Sequence, residues 1–388
     1  MKKLTILILA LSLLVPLLAY AILGGISDYN TLLWHDSGKI ADENGLLNVY
    51  AVEANLPETF SSGYFAFPPP WLIISYVTYK IAAGSALDLM GFAYLIRLLP
   101  FLALETNALL VYLCLRKKGE MLAAIGAFLF SVAFGVVNWS GLFIHGQIDS
   151  IPIFFMLLAL LLADKRKMDW AMLALGLGAA FKLYPLAVAV GFLAVEAGKG
   201  TRTSKLLKYA VLALAPLVVF SLPYLITNPA AYVGALTQYK DWVGIATLYA
   251  YVYMIQGLPL YLWRGPVPPN AAIEYIGIVT AVSASITMFA LLLACMKIWK
   301  RKDELLLAVL LPLLTLLAFW KFIDACFLAW ALPFTIMMTL SSERRWGGVI
   351  YLFTIFYIAL LSFADPLNLL FPLAQLAAIV YYVDLVGR

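Results

Sequence analysis

Histidine is almost missing from this chain: His35 and His145 are all it has, too few for a histidine-rich metal site. Cysteine is nearly as scarce. Cys114, Cys295 and Cys326 each lie inside an apolar run, which supports neither a disulfide framework nor a zinc site. Charged residues make up 12% of the chain, against about a quarter in an ordinary soluble domain. Strand-like alternation in segments of about ten residues is absent, which argues against an outer-membrane barrel. No internal repeat, low-complexity tract or linker divides the chain, so residues 1–388 read as one domain. The net charge of +5 comes from loop lysines and arginines, so no nucleic-acid surface is expected.

Apolar sequence fills the space left by these absences. Hydrophobic residues reach 64% and mean hydropathy is +0.95. Runs of about twenty apolar residues recur, the length that crosses a bilayer as a helix. The expected fold is all-α and polytopic, with about 12 transmembrane helices and interfacial helices on the outer face. Residues 4–24 carry Ala19-Tyr20-Ala21, which resembles a signal-peptide cleavage site. The length of the run favours an uncleaved first span instead.

The positive-inside rule then orders the chain. Lys2 and Lys3 stay inside, and the acidic segment that follows lies outside. Residues 25–90 form the first outer loop. Its apolar run 72–83 is short for a span and would strand Arg116-Lys117-Lys118 outside if it crossed. It reads as an interfacial or re-entrant helix. Residues 169–197 have basic clusters on both sides, and Lys182-Leu183-Tyr184-Pro185 interrupts them. Two short helices with Lys182 at the outward tip satisfy the charge rule. Residues 227–271 form the second long outer segment, with a re-entrant or interfacial stretch at 244–262. Spans are expected at 91–115, 121–137, 151–163, 206–226, 272–296, 304–320, 324–340, 347–363 and 367–386. Both termini and most of the 26 Lys and Arg residues fall inside.

This topology brings a polar island, residues 138–150, to the outer face together with Asp28, Asp36, Lys182, Lys321 and Arg97. Ionisable groups at a membrane boundary are costly and point to function. Cations there hold a lipid phosphate, and a carboxylate takes the proton from an attacking hydroxyl. Each residue also has a bland reading. Asp28 would cap a helix, and Asp149 or Ser150 would cap the fourth span. Lys182, Lys321 and Arg97 would snorkel to the interface. Asp36 would be a solvated charge, and His145 a satisfied interfacial histidine. Glu105 would be a neutral structural acid, and the aromatic stretches 64–79 and 249–263 an interfacial belt.

Local motifs add a resemblance. Asp28-Tyr29 with Trp34, Phe67-Pro68-Pro69-Pro70-Trp71, His145-Gly146-Gln147-Ile148-Asp149-Ser150 and Phe181-Lys182-Leu183-Tyr184-Pro185 occur in this order. A weaker match is Phe319-Trp320-Lys321-Phe322-Ile323-Asp324, running into Trp330-Ala331-Leu332-Pro333. Together they resemble the GT-C superfamily of glycosyltransferases, closest to its prokaryotic mannosyltransferase-like branch. The resemblance implies a polyprenyl- or dolichyl-phosphate sugar as donor, mannose first among the sugars, and a glycan or glycolipid acceptor. It implies Asp28 as catalytic base and Lys182, Lys321 and Arg97 as donor-phosphate ligands. Asp36, His145, Gln147 and Asp149 are then sugar or acceptor ligands. Two departures stand out. Ile26 and Asn30 flank Asp28 where several relatives carry a second acid, so no metal and no cofactor is expected. His145 replaces a usual tryptophan. The expected location is the plasma membrane of a prokaryote with the site outside, or else the endoplasmic reticulum with the site lumenal. The rival readings are a transporter or flippase of a lipid-linked glycan, and a non-catalytic subunit of a glycan-assembly complex. An inverted-repeat transporter would show matched broken helices in both halves, and only the Lys182 break is evident.

Overall fold

The computed structural model describes residues 2–25, 28–56, 63–137, 147–238, 247–249, 269–321, 325–341, 346–361 and 373–387. Among them the only β feature is an isolated bridge between Ala54 and Gly63. α1 (Lys2–Leu23) packs against α4 (Leu89–Leu115) and α5 (Glu120–Val137). α6 (Ser150–Asp164), α7 (Met168–Ala179), α8 (Pro185–Gly198) and α9 (Thr203–Thr227) continue the bundle. α11 (Pro269–Lys300), α12 (Leu305–Phe319), α13 (Leu332–Ser341), α14 (Trp346–Leu361) and α15 (Leu373–Gly387) complete it. α12 is the most enclosed of these, buried along nearly its whole length and touching α8, α11 and α15.

Among the described residues, four helical stretches are long and apolar enough to cross a membrane: Lys3–Ile22, Leu89–Lys118, Thr203–Thr227 and Ile276–Lys300. Eight further apolar helices have 10–17 residues. A 15-residue helix such as α6 rises about 22 Å, short of a hydrocarbon core of about 30 Å. The chain is a multi-pass membrane protein in which long spans are interleaved with shorter apolar helices. The run expected as one span at 324–340 shows why lengths fall short. A 3-10 turn, Ala325–Trp330, comes first, and α13 starts only at Leu332 with Pro333 in its first turn. Proline there starts a helix well but cannot continue one from upstream. Pro185 does the same for α8, so α7 and α8 are separate helices around Lys182. The stretch 244–262 lies almost wholly outside the described residues.

The acidic segment after α1 is more ordered than a loop. α2 (Tyr29–Asn44) lies along α3 (Pro69–Gly84), burying Trp34 against Trp71 with ring centroids 4.9 Å apart. Lys80 on α3 reaches Asp42 on α2 at 2.8 Å. Gly45, at φ +85°, closes α2 in a conformation that suits glycine. These elements, the first turns of α4 and α6, Phe181, the end of α9 and α10 (Pro229–Leu236) share a second core around Trp34, Tyr50, Trp71 and Ile148. It caps one end of the bundle. The basic loops gather at the other end, where Lys117 pairs with Asp164 at 2.5 Å and Lys208 with Asp169 at 2.9 Å.

Close helix contacts use small residues. A Cβ at Gly191 on α8 would collide with the backbone carbonyl of Ala308 on α12, and one at Gly176 on α7 would meet Ala213 O of α9 at 2.6 Å. Without water to drive association, packing of this kind carries helix affinity in lipid. Gly191→Leu is therefore expected to destabilise the bundle by at least about 1–3 kcal/mol, the usual cost of overpacking. Thermal unfolding in detergent checks this, and an unchanged midpoint would reject the α8–α12 contact.

Candidate functional site

Two clusters of polar side chains form at the end that carries the second core. The first is built on the start of α2. Asp28 is the N-cap residue, and its Oδ1 accepts from Thr31 N at 2.8 Å and Thr31 Oγ1 at 2.6 Å. Arg97, two turns into α4 and 1% exposed, donates from Nη2 to the same Oδ1 at 3.3 Å and to Thr31 Oγ1 at 2.9 Å. Its Nη1 donates to Gly24 O at 3.0 Å, at the end of α1. Asp28 Oδ2 is buried without a hydrogen-bond partner. Burial pushes the Asp28 carboxyl up from its ordinary value, while Arg97 and the Thr31 hydrogen bonds pull it part of the way back.

The second cluster joins three distant parts of the chain. Lys182 Nζ, in the α7–α8 turn, reaches both carboxylate oxygens of Asp149 at 2.9 Å and Gln147 Oε1 at 3.2 Å. Trp330 donates from Nε1 to Asp149 Oδ1 at 2.7 Å, and Tyr184 OH donates to Asp149 O at 3.3 Å. The Trp330 ring lies between Tyr184 (centroids 3.9 Å) and Phe327 (4.5 Å), and Lys182 Nζ stands 5.0 Å from the Phe327 centroid. The bland reading has Asp149 or Ser150 capping α6, and Asp149 is the N-cap residue. Its side chain makes no cap hydrogen bond, because both oxygens are taken by Lys182 and Trp330.

α4 connects the clusters. One turn beyond Arg97, Pro100 O accepts from Ser150 Oγ at 2.6 Å, and Asn107 Nδ2 donates to Ser150 O at 2.8 Å. Ser150 follows Asp149 directly. The Asp28–Arg97 pair and the Asp149–Lys182 pair therefore stand at the same end of the bundle, braced by the same helix.

Asp36 sits two turns along α2 from Asp28, and its Oδ2 accepts from Asn55 N at 2.6 Å, which pins the loop after the 3-10 turn. Lys321 lies just past α12 and is 1% exposed. His145 lies outside the described residues. The site also uses residues that the sequence reading gave no role: Thr31, Tyr184 and Trp330. Thr31 had a local signal, since an acid three residues before a threonine at a helix start is a capping pattern. Trp330 opens the motif Trp330-Ala331-Leu332-Pro333, but nothing in the sequence signals its pairing with Asp149, 181 residues away. Among the described residues no group of three His, Cys, Asp or Glu side chains converges as a metal site.

Among curated proteins none matches the chain. The model of glycosyltransferase family 87 matches residues 65–320. That stretch holds Arg97, Gln147, Asp149 and Lys182; Asp28 precedes it and Lys321 follows it. With most of its length covered by that match, including the island and the lysine turn, the chain belongs to glycosyltransferase family 87.

Proposed function

We propose that the protein transfers a hexose, with mannose the first candidate, from a polyprenyl-phosphate donor to a hydroxyl of a lipid-linked or glycan acceptor. The reaction takes place at the extracytoplasmic face of the membrane, in a prokaryote the outer side of the plasma membrane. The acceptor oxygen attacks the anomeric carbon, and its proton passes to Asp28 Oδ2. The bond from that carbon to the donor phosphate breaks, its electron pair leaving on the phosphate oxygen. A single displacement inverts the anomeric configuration. Lys182 and Lys321 offset the charge that grows on the leaving phosphate. Asp149, its carboxylate buried and engaged by Lys182 and Trp330, acts as a positioning residue for Lys182, and Gln147, which also accepts from Lys182, orients sugar or acceptor hydroxyls. Asp28 has no acidic neighbour at Ile26 or Asn30, so the scheme needs no metal.

The observation that carries this reading is the lopsided environment of Asp28. Thr31 and Arg97 saturate Oδ1, while Oδ2 is buried and unused. A carboxylate held by one oxygen presents the other as a proton acceptor. Arg97, expected from the sequence as a phosphate ligand, serves instead as a positioning residue for Asp28. Incubation of the purified protein with a panel of labelled polyprenyl-phosphate sugars and membrane acceptors tests the reading. Product formation from a lipid-phosphate hexose is expected. Turnover with nucleotide sugars alone would overturn it.

Arg97 supplies a pH test. The base works only when ionised, and burial raises its pKa. The acid limb of kcat/KM is expected above the ordinary aspartate value of 3.8. Arg97→Met removes the cation that favours the ionised form, so the limb moves to higher pH and Arg97→Lys moves it less. A merely structural arginine would lower the rate at all pH values and leave the limb in place.

A further inference from the structure

An apolar groove of about 510 Å³ runs between α8, α9 and α11, on the side of the bundle away from both polar clusters. Val190, Ala194 and Ala197 form one wall, Thr203 and Leu207 the other, and Cys295 contributes from α11. Its walls are open to the surroundings: Val190 is 37% and Leu207 64% exposed. From Val190 to Ala197 the groove extends about 10 Å along the helix axis. Inside a membrane such a channel is filled by hydrocarbon, and its chemistry at one end decides which lipid.

That end is basic. Ala197 and Thr203 lie beside the α8–α9 loop, where Lys199, Arg202, Lys205 and Lys208 cluster. Two of these are already neutralised, Lys199 by Glu196 at 3.0 Å and Lys208 by Asp169 at 2.9 Å. Arg202 and Lys205 are exposed, and neither has an ion-pair partner among the described residues. Lys205 Nζ stands 5.6 Å from the Tyr209 ring centroid, a contact that orients it without a carboxylate within ion-pair distance. The feature is thus an apolar slot for one chain, with two unpaired cations at its mouth. We propose that this groove is a binding site for an anionic membrane phospholipid, one acyl chain lying between α8 and α9 and the headgroup phosphate at Arg202 and Lys205. The site is independent of the transfer reaction and of the leaflet in which that reaction occurs.

Cys295 provides a reporter inside the groove. In a Cys114→Ser/Cys326→Ser protein it is the remaining thiol, and its alkylation by a small maleimide is timed in detergent. Phosphatidylglycerol is expected to slow alkylation at roughly 30-fold lower concentration than phosphatidylcholine with the same chains, as two cations facing an anionic headgroup imply. Arg202→Gln/Lys205→Gln, on the surface and away from the polar clusters, is expected to erase that difference. Equal protection by the two lipids, or an unaltered preference in the double variant, would overturn the site. Protection that rises with protein concentration and ignores added lipid would assign the groove to a second copy of the chain, and would overturn it too. Native mass spectrometry of the unmodified chain gives a second reading, free of the cysteine changes. Preferential retention of phosphatidylglycerol that is lost in R202Q/K205Q is expected, and equal retention of both lipids would count against the proposal.

Discussion

Asp28→Asn is expected to lower sugar transfer by about 10²–10⁴-fold, the usual contribution of a positioned general base. The substitution is close to isosteric. An asparagine oxygen in place of Oδ1 still accepts from Thr31 N, Thr31 Oγ1 and Arg97 Nη2. Its amide nitrogen then stands where Oδ2 was, and an amide cannot take the acceptor proton. Arg97 loses its counter-charge but keeps Gly24 O and Thr31 Oγ1 as acceptors. Some loss of stability follows, so the rate is read per folded molecule, with thermal unfolding measured alongside. Asp28→Glu sharpens the result. It restores a carboxylate one methylene too far out, and partial activity with a raised KM for the acceptor is expected. Wild-type turnover by the asparagine variant, with a purified lipid donor, would remove Asp28 from the chemistry and make Asp36 the next carboxylate to test as the base.

Different physical signals carried different parts of this structure. Apolar runs of span length are local, and they marked α1, α4, α9 and α11, the helices long enough to cross a bilayer. Pro185 marked the break at Lys182 for the same reason, since a ring without an N–H acts at its own position. The helix after α1 was harder to see. α2 is held by its fit to α3, where a Cβ at Gly38 would meet Tyr79 Cβ at 2.6 Å and Ser75 O at 3.0 Å. Nothing in its acidic composition announces that fit. The candidate residues are legible only as types: Asp28, Arg97, Gln147, Asp149 and Lys182 stand out as polar groups in apolar surroundings. Their partners were not legible. Arg97 reads as a phosphate ligand in the sequence, where its contact with Asp28, 69 residues away, is invisible. Asp149 reads as a helix cap until Trp330 and Lys182 claim its oxygens. Pairings at such separations depend on how the bundle closes, and no window of sequence contains them.

Lys182→Met is expected to be the most damaging change to the second cluster, and its partner shows how to separate folding from chemistry. The Asp149 side chain has no exposure and that of Lys182 has 16%, so the pair is buried on the carboxylate side. Removing the lysine leaves Asp149 with Trp330 Nε1 as a donor and no counter-charge, a situation that typically costs about 3–5 kcal/mol. Lys182→Met alone is therefore expected to unfold at much lower temperature, and its inactivity would say little. Asp149→Asn costs less, because Lys182 keeps Gln147 Oε1 and the amide oxygen, and Trp330 can still donate to that oxygen. The double variant Lys182→Met/Asp149→Asn removes the charge together with the need for it. Its stability is expected to return toward wild type, since replacing a whole buried pair by uncharged groups is often neutral. Transfer does not return with it, because the cation that would meet the donor phosphate is gone. The expected signature is a near-native unfolding midpoint with transfer at least about tenfold down and the lipid-donor KM raised. A double variant that recovers stability and transfer together would reduce Lys182 to a structural partner of Asp149. The donor phosphate would then have to be held by Lys321, which Lys321→Met would test in the same assay.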